Sequence, residues 1–207
     1  MNKEIYPKKD DELTDEISGY NGRLYSLYEL SLSANNYTIN ASENVRNQIV
    51  DKYSQVYNCL EEKIPDYILK TVYGLDENFK EIWKVVPKWF YTLKGTTDYK
   101  YEVSNLGRIR FNDKNNEKKY LLQKAEKYGY LKISDANPGK FNHSINIYEF
   151  ISSAFLSESI GKHIHHINNN GYDCRPDNLI LLTPTQHSIV HNFKISQLKE
   201  DPNYENY

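Results

Sequence analysis

Apolar side chains recur along this chain in two rhythms. From residue 22 to about residue 73 the spacing is helical. Leu24, Leu27, Tyr28 and Leu30 lie roughly a turn apart in GRLYSLYELSLS. After the break NNYTIN, Ser42 is a candidate N-cap, and Val45, Ile49, Tyr53, Val56, Tyr57 and Leu60 follow at 3.6-residue spacing. This predicts a helix from about 43 to 63, stopped by Pro65, and a shorter one over 66–73 ended near Gly74. Residues 1–18 are charged and proline-containing and read as a loose arm.

After residue 80 the rhythm shortens. Short β-rich runs cover 99–103, 108–111, 120–123, 128–133 and 141–147, separated by the turn sequences NLG, NDKNN and DANPGK. YEFISSAFLS (148–157) reads as a short amphipathic helix. Strand-like KHIHHI, the loop NNNGYDCRP, strand-like DNLILL and a helix starting near Thr183 complete the pattern. Thr183, Pro184 and Gln186 have the spacing of an N-cap, a first-position proline and a capping-box partner. The expected class is α+β: a helical region (1–80), a small β-rich module (81–140), a strand–loop–strand–helix unit (141–195) and a tail (196–207).

Composition narrows the picture. The 207 residues allow one large domain or two small ones. Only 39% are hydrophobic, but 14% are aromatic and 19 residues are tyrosine, so a folded chain with a Tyr-rich core is expected. No apolar run approaches the roughly 18 residues of a membrane span. MNKEIYPKKDDELTDE has no apolar segment of the secretory kind. Cys59 and Cys174 lie far apart, which excludes a cysteine-based zinc knuckle and points to a reducing, cytoplasmic setting. The net charge of −2 argues against a generally basic nucleic-acid binder. It conceals a split, however. Residues 1–80 carry 9 Lys and Arg against 14 Asp and Glu, a net of −5, whereas 84–140 carry 13 against 6, a net of +7. A local positive field can hold a polyanion.

Five of the six histidines lie between 163 and 191. His187 and His191, at i and i+4, share one helix face and can hold one metal ion. His165 and His166 are adjacent near a strand end. Adjacent strand side chains point oppositely, so a strand end or turn is expected to reorient one of them. The pair can then divide its work, one ring binding metal and the other facing substrate. A neutral imidazole suits the first task, and a pKa of about 6.5 suits a base for the second. His163 and His143, taken singly, read as surface histidines.

The stretch HHINNNGYDCRPDNLILLTPTQHSIVH resembles the HNH nuclease motif, a ββα-metal unit. The resemblance implies His165 as a metal ligand, His166 as the general base, and His187 and His191 as further ligands, the last as in the colicin-like branch. Asn178 matches the middle Asn, which orients the base histidine through the backbone. The implied cofactor is one divalent ion, with Mg, Mn, Zn and Ni all open. Arg175 reads either as a phosphate contact or as a salt-bridge partner of Asp173 or Asp177. Upstream, EIWKVVP, YEVSNLGRIRF and GYLKI resemble the nuclease-associated modular DNA-binding domain of type four, with KWFYTLKGTTDYK as a long insertion. Arg108 and Arg110 alternate on one predicted strand, with Lys118, Lys119 and Lys124 nearby, as a ribbon following a phosphate backbone would have them.

Together these features predict a metal-dependent endonuclease acting on double-stranded DNA, of phage or mobile-element origin, in a bacterial cytoplasm and without a membrane partner. One base and one metal suffice for a nick by a monomer, and a double-strand break then requires a homodimer or two visits. The rival reading is a DNA-binding regulator or packaging accessory with a vestigial nuclease motif. A toxin-like nuclease acting on RNA is a third.

Overall fold

A computed structural model describes residues 16–36, 43–94, 101–125, 129–133, 145–156 and 159–192. The expected N-cap Ser42, the loose arm up to residue 15, the strand positions 141–144 with His143, and the tail lie outside these residues, as does the side chain of Lys124.

The N-terminal third is helical, with one correction at its start. Leu24 to Ser26 do not begin a helix. They form strand β2 (Leu24–Ser26), paired antiparallel with β1 (Glu16–Ser18). Helix α1 runs over Leu27–Asn36 and α2 over Glu43–Tyr57. The latter stops short of the expected residue 63, because the chain then turns to present the carbonyls of Cys59, Glu61 and Glu62 to Arg108. Leu60, beyond that end, is exposed. Helix α3 (Asp66–Tyr73) follows Pro65. It ends at Gly74, whose φ of 68° lets its N–H and that of Leu75 satisfy the last carbonyls.

A four-stranded antiparallel sheet comes next, ordered β3 (Trp83–Val85), β4 (Glu102–Ser104), β5 (Ile109–Asn112) and β6 (Lys118–Tyr120). Strand β3 is too short to show a period in the sequence. Part of the expected insertion is helix α4 (Lys88–Leu93), which buries Phe90 and Tyr91. A hairpin of β7 (Gln123–Ala125) and β8 (Leu131–Ile133) leads to α5 (Ile147–Phe155). The final unit is β9 (His163–His166), a short 3-10 turn at Pro176–Asn178, β10 (Leu179–Leu182) and α6 (Pro184–Asn192).

The larger core joins α2, α3, the sheet and α5 through Val56, Tyr57, Leu69, Tyr101, Ile109, Phe150 and Leu179, and so crosses the boundaries expected near 80 and 140. A smaller core lies behind the histidines, where Leu27, Leu30 and Ala34 of α1 pack on Ile180, Leu182, Ile189 and Val190. The described N-terminal elements therefore pack against the rest of the chain. Among the described residues no helix is long and apolar enough to cross a membrane.

Candidate active site

Strands β9 and β10 pair with His165 opposite Ile180 and His166 opposite Leu179. Strand alternation therefore sends the two imidazoles to opposite faces. The expected reorientation by a turn does not occur, since both residues lie within β9. The pleat itself separates them.

On one face His165 meets α6. The Thr183 Oγ1 accepts from the Gln186 N–H at 3.2 Å, and the Gln186 Oε1 accepts from the Thr183 N–H at 2.9 Å. This reciprocal capping box, expected from the sequence, fixes the start of α6. It sets His187 and His191 against His165, with centroid separations of 5.8 Å and 4.9 Å from it and 4.5 Å between them. The ligand atoms of all three lie within 4.8 Å of one another. His163 is exposed and touches only the flank of this group, 4.7 Å from the His187 ring.

The donor set fits a metal ion. The His165 Nε2 is buried and has no hydrogen-bond partner, an expensive state for a polar atom unless something else engages it. Burial, with His191, His166 and His187 adding, pushes His165 down to about 3. Burial, with His191 and His163, takes His187 to about 4, and burial alone lowers His191. All three rings are neutral at pH 7, the form that ligates. Imidazole donors favour Zn or Ni in affinity, whereas Mg and Mn prefer oxygen.

On the opposite face His166 is also buried, and its Nε2 also has no partner. Burial takes it down to about 4, against a weaker upward pull from Asp173. Its ring lies against Tyr148 and Tyr130, neither of which the sequence analysis singled out. GYLKI contains Tyr130, but nothing local reveals that it meets a histidine 36 residues later. Burial, with Glu149 and Tyr130 adding, raises the Tyr148 phenol well above its ordinary value, so it stays protonated.

Asn178 ties the loop between the strands. Its Oδ1 accepts from the Asn168 N–H at 2.9 Å. Its Nδ2 donates to the Asn168 Oδ1 and the Asp173 carbonyl, both at 2.8 Å. Its carbonyl accepts from the Ile167 N–H at 2.8 Å, directly after His166.

The expected DNA-contacting cations divide. Arg108 is 1% exposed, and all five of its N–H donors are used. Nε and Nη2 engage the Glu81 carboxylate, Nη1 the carbonyls of Cys59 and Glu61, and Nη2 also that of Glu62. It has no donor left for phosphate, and the expectation that it follows a DNA backbone is corrected. Arg110 is also buried. It donates from Nε to Glu102 at 2.6 Å and stacks 3.8 Å from the Trp83 ring centroid, so the alternating arginines hold the sheet face together. Arg175 takes its salt-bridge alternative. Its Nε and Nη2 both donate to Asp173 at 2.8 Å, and it lies over the Tyr73 ring. Lys118 and Lys119 remain at the surface, paired with Glu102 and Glu117. Lys124 lies in β7.

Comparison with known proteins gives two family matches. Residues 81–134 match the NUMOD4 motif and residues 159–189 match the HNH endonuclease family. No curated protein matches the chain. A solved structure described as "DNA binding and cleavage by the HNH homing endonuclease I-HmuI" is 20% identical, covers 60% of this chain and 68% of its own, and superposes with a TM-score of 0.40. His165, His187 and the asparagine-tied loop lie inside the second matched segment, with His191 two residues beyond its end, and the GRIR strand lies inside the first; the chain thus carries a segment that matches the HNH endonuclease family behind one that matches the NUMOD4 motif.

Proposed function

We propose that the chain is a metal-dependent endonuclease that nicks double-stranded DNA as a monomer, with His165, His187 and His191 as ligands and His166 as general base. The observation that carries this reading is the pair of buried, unpartnered Nε2 atoms on neighbouring residues that face opposite ways. One belongs to a three-imidazole cluster and the other stands apart from it. A divalent cation, when bound by the three imidazoles, supplies positive charge for the phosphate and the departing 3′-oxygen.

The chain's own groups do the rest. His166 takes a proton from the attacking water as the new O–P bond forms in line with the breaking P–O3′ bond. Asn178 keeps the backbone after His166 in register, so the ring presents the same atom each time. Lys118 and Lys119 are the surface cations placed to exchange their carboxylate partners for phosphates.

Incubation with supercoiled plasmid and Mg, Mn, Zn or Ni, with and without EDTA, tests the reading. The expected product is the open circle, lost with EDTA. His187→Ala should abolish high-affinity metal binding and most cleavage, while His163→Ala leaves both near wild type. Cleavage indifferent to EDTA, or absent with every metal, rejects the reading.

A further inference from the structure

The ring contacts that hold His166 come from two tyrosines outside the matched HNH segment. Tyr148, in the first turn of α5, lies 5.2 Å from the His166 ring at 87°. Tyr130, just before β8, lies 5.9 Å away at 40°. The tyrosines meet each other at 5.5 Å and 61°, so the three rings close a triangle. It occupies the face of β9 that the metal-ligand cluster does not.

Each tyrosine is held from behind. The Tyr148 hydroxyl accepts from the Asn146 Nδ2 at 3.1 Å, and the same amide group donates to the Glu149 Oε1 at 3.1 Å. Glu149 in turn pairs with Lys94. Tyr130 follows Gly129, whose φ of 85° sets the turn. Across from it, Gly171 has no room for a side chain. A Cβ there would lie 2.7 Å from the Tyr130 ring and would strike the Gly129 carbonyl. The loop after β9 and the turn carrying Tyr130 thus meet backbone to ring, and glycine is the residue that permits it.

The His166 Nε2 is buried without a hydrogen bond. Nothing polar orients the imidazole through that atom, and the two tyrosine rings bear on its plane instead. Edge-to-face contacts suit the task, because they fix a ring's plane without occupying its nitrogen.

We propose that Tyr130 and Tyr148 are positioning residues for His166, so that the NUMOD4 segment and α5 each supply part of the nuclease site. This rests on the reading of His166 as the general base. Tyr148 is closer, edge-on and anchored, and has the larger share. Tyr130, 41% exposed, forms the solvent-side wall.

The test uses the full chain with Tyr148→Leu, Tyr148→Phe and Tyr130→Leu, and His166→Ala as reference. Three quantities are measured: kcat and KM on supercoiled plasmid, Zn affinity by chelator competition, and the ring-proton NMR shifts of His166. A misplaced reacting group costs up to about 100-fold. Tyr148→Leu should therefore lower kcat by roughly 10- to 100-fold, leave KM and Zn affinity unchanged, and remove the ring-current displacement of the His166 protons. Tyr148→Phe keeps the ring and should restore both kcat and the shifts. If both leucine variants keep wild-type kcat while His166→Ala is dead, the proposal is overturned and the base survives. If His166→Ala cleaves normally, the base reading falls, and unmoved His166 shifts in Tyr148→Leu then overturn the positioning claim separately. Zn affinity falling in step with kcat also overturns it, as general damage. Should Tyr148→Leu fail to fold, Tyr130→Leu, at the more exposed site, carries the same readouts.

Discussion

Arg108 in the sheet and His165 in the hairpin are both almost wholly buried, at 1% and 3% exposure. Their surroundings treat them oppositely. Arg108 donates through every N–H it has, to one carboxylate and three carbonyls. His165 and its neighbour His166 each keep a buried nitrogen with no partner. A saturated buried cation is a structural tie, costly to remove and useless to a ligand. An unsaturated buried nitrogen is a standing expense that folding alone does not explain. The sequence offered both as chemistry-bearing residues of similar promise, and the difference between them is how much bonding capacity the fold leaves open.

The largest expected effect lies on the open side. His166→Ala should lower cleavage by roughly 10²–10⁴-fold, the size of a lost general base, with Zn affinity unchanged. Wild-type cleavage would erase the distinction at its strongest point.

Next comes the saturated side. Arg108→Ala leaves Glu81 and three carbonyls without their partner, and should cost about 3–5 kcal/mol of stability, read by urea denaturation. DNA affinity per folded molecule should stay the same. A stable Arg108→Ala protein with weakened DNA binding would reverse the assignment.

The third effect is pH dependence without metal. His165 and His166 have folded-state pKa values near 3 and 4, below the unfolded value of about 6.5. The unfolded chain binds more protons in that window. The stability these neutral rings provide is complete above about pH 6.5 and is lost as pH falls toward 4 and 3. Each contributes a slope of up to about 1.4 kcal/mol per pH unit. Denaturation midpoints of the metal-free protein at pH 7, 6 and 5 should fall, and His165→Phe should flatten the decline. An equal decline in that variant would assign it to other groups.

The smallest effect belongs to Lys118 and Lys119, whose own side chains are at the surface. The double alanine variant should change stability by well under 1 kcal/mol. It should also flatten the salt dependence of DNA binding by about 1.8 in the log–log slope. An unchanged slope would take the β6 lysines out of the DNA path as well.

Local signals carried much of this into the sequence. Thr183 and Gln186 sit three residues apart, and their reciprocal bonds form as their spacing implies. HxxxH put two imidazoles on one helix face, and the HH dipeptide supplied the third. Pro65 and Gly74 bracketed α3. The failures are non-local. GRIR has the alternation of a cationic ribbon, but Arg108 is claimed by Glu81, 27 residues earlier, and by carbonyls nearly fifty residues earlier. Leu24 has helical spacing, but pairing with β1 wins locally. Tyr130 meets His166 because a turn and a loop close on each other at Gly171. No window of consecutive residues contains that information.

The Tyr57 hydroxyl stands where three segments of unlike origin meet. It donates to the Tyr172 carbonyl, accepts from the Cys174 N–H at 3.3 Å, and lies 3.4 Å from the Tyr73 hydroxyl. Its ring closes on Gly107 so tightly that a methyl group there would sit 2.8 Å from it. Motifs of this kind are spoken of as interchangeable parts, but here the part has a keystone cut from different stone. A graft of residues 81–192 onto another scaffold would carry both matched motifs and leave Tyr57 and Tyr73 behind. The recipient would inherit the histidines and a hole beside the loop that aims them.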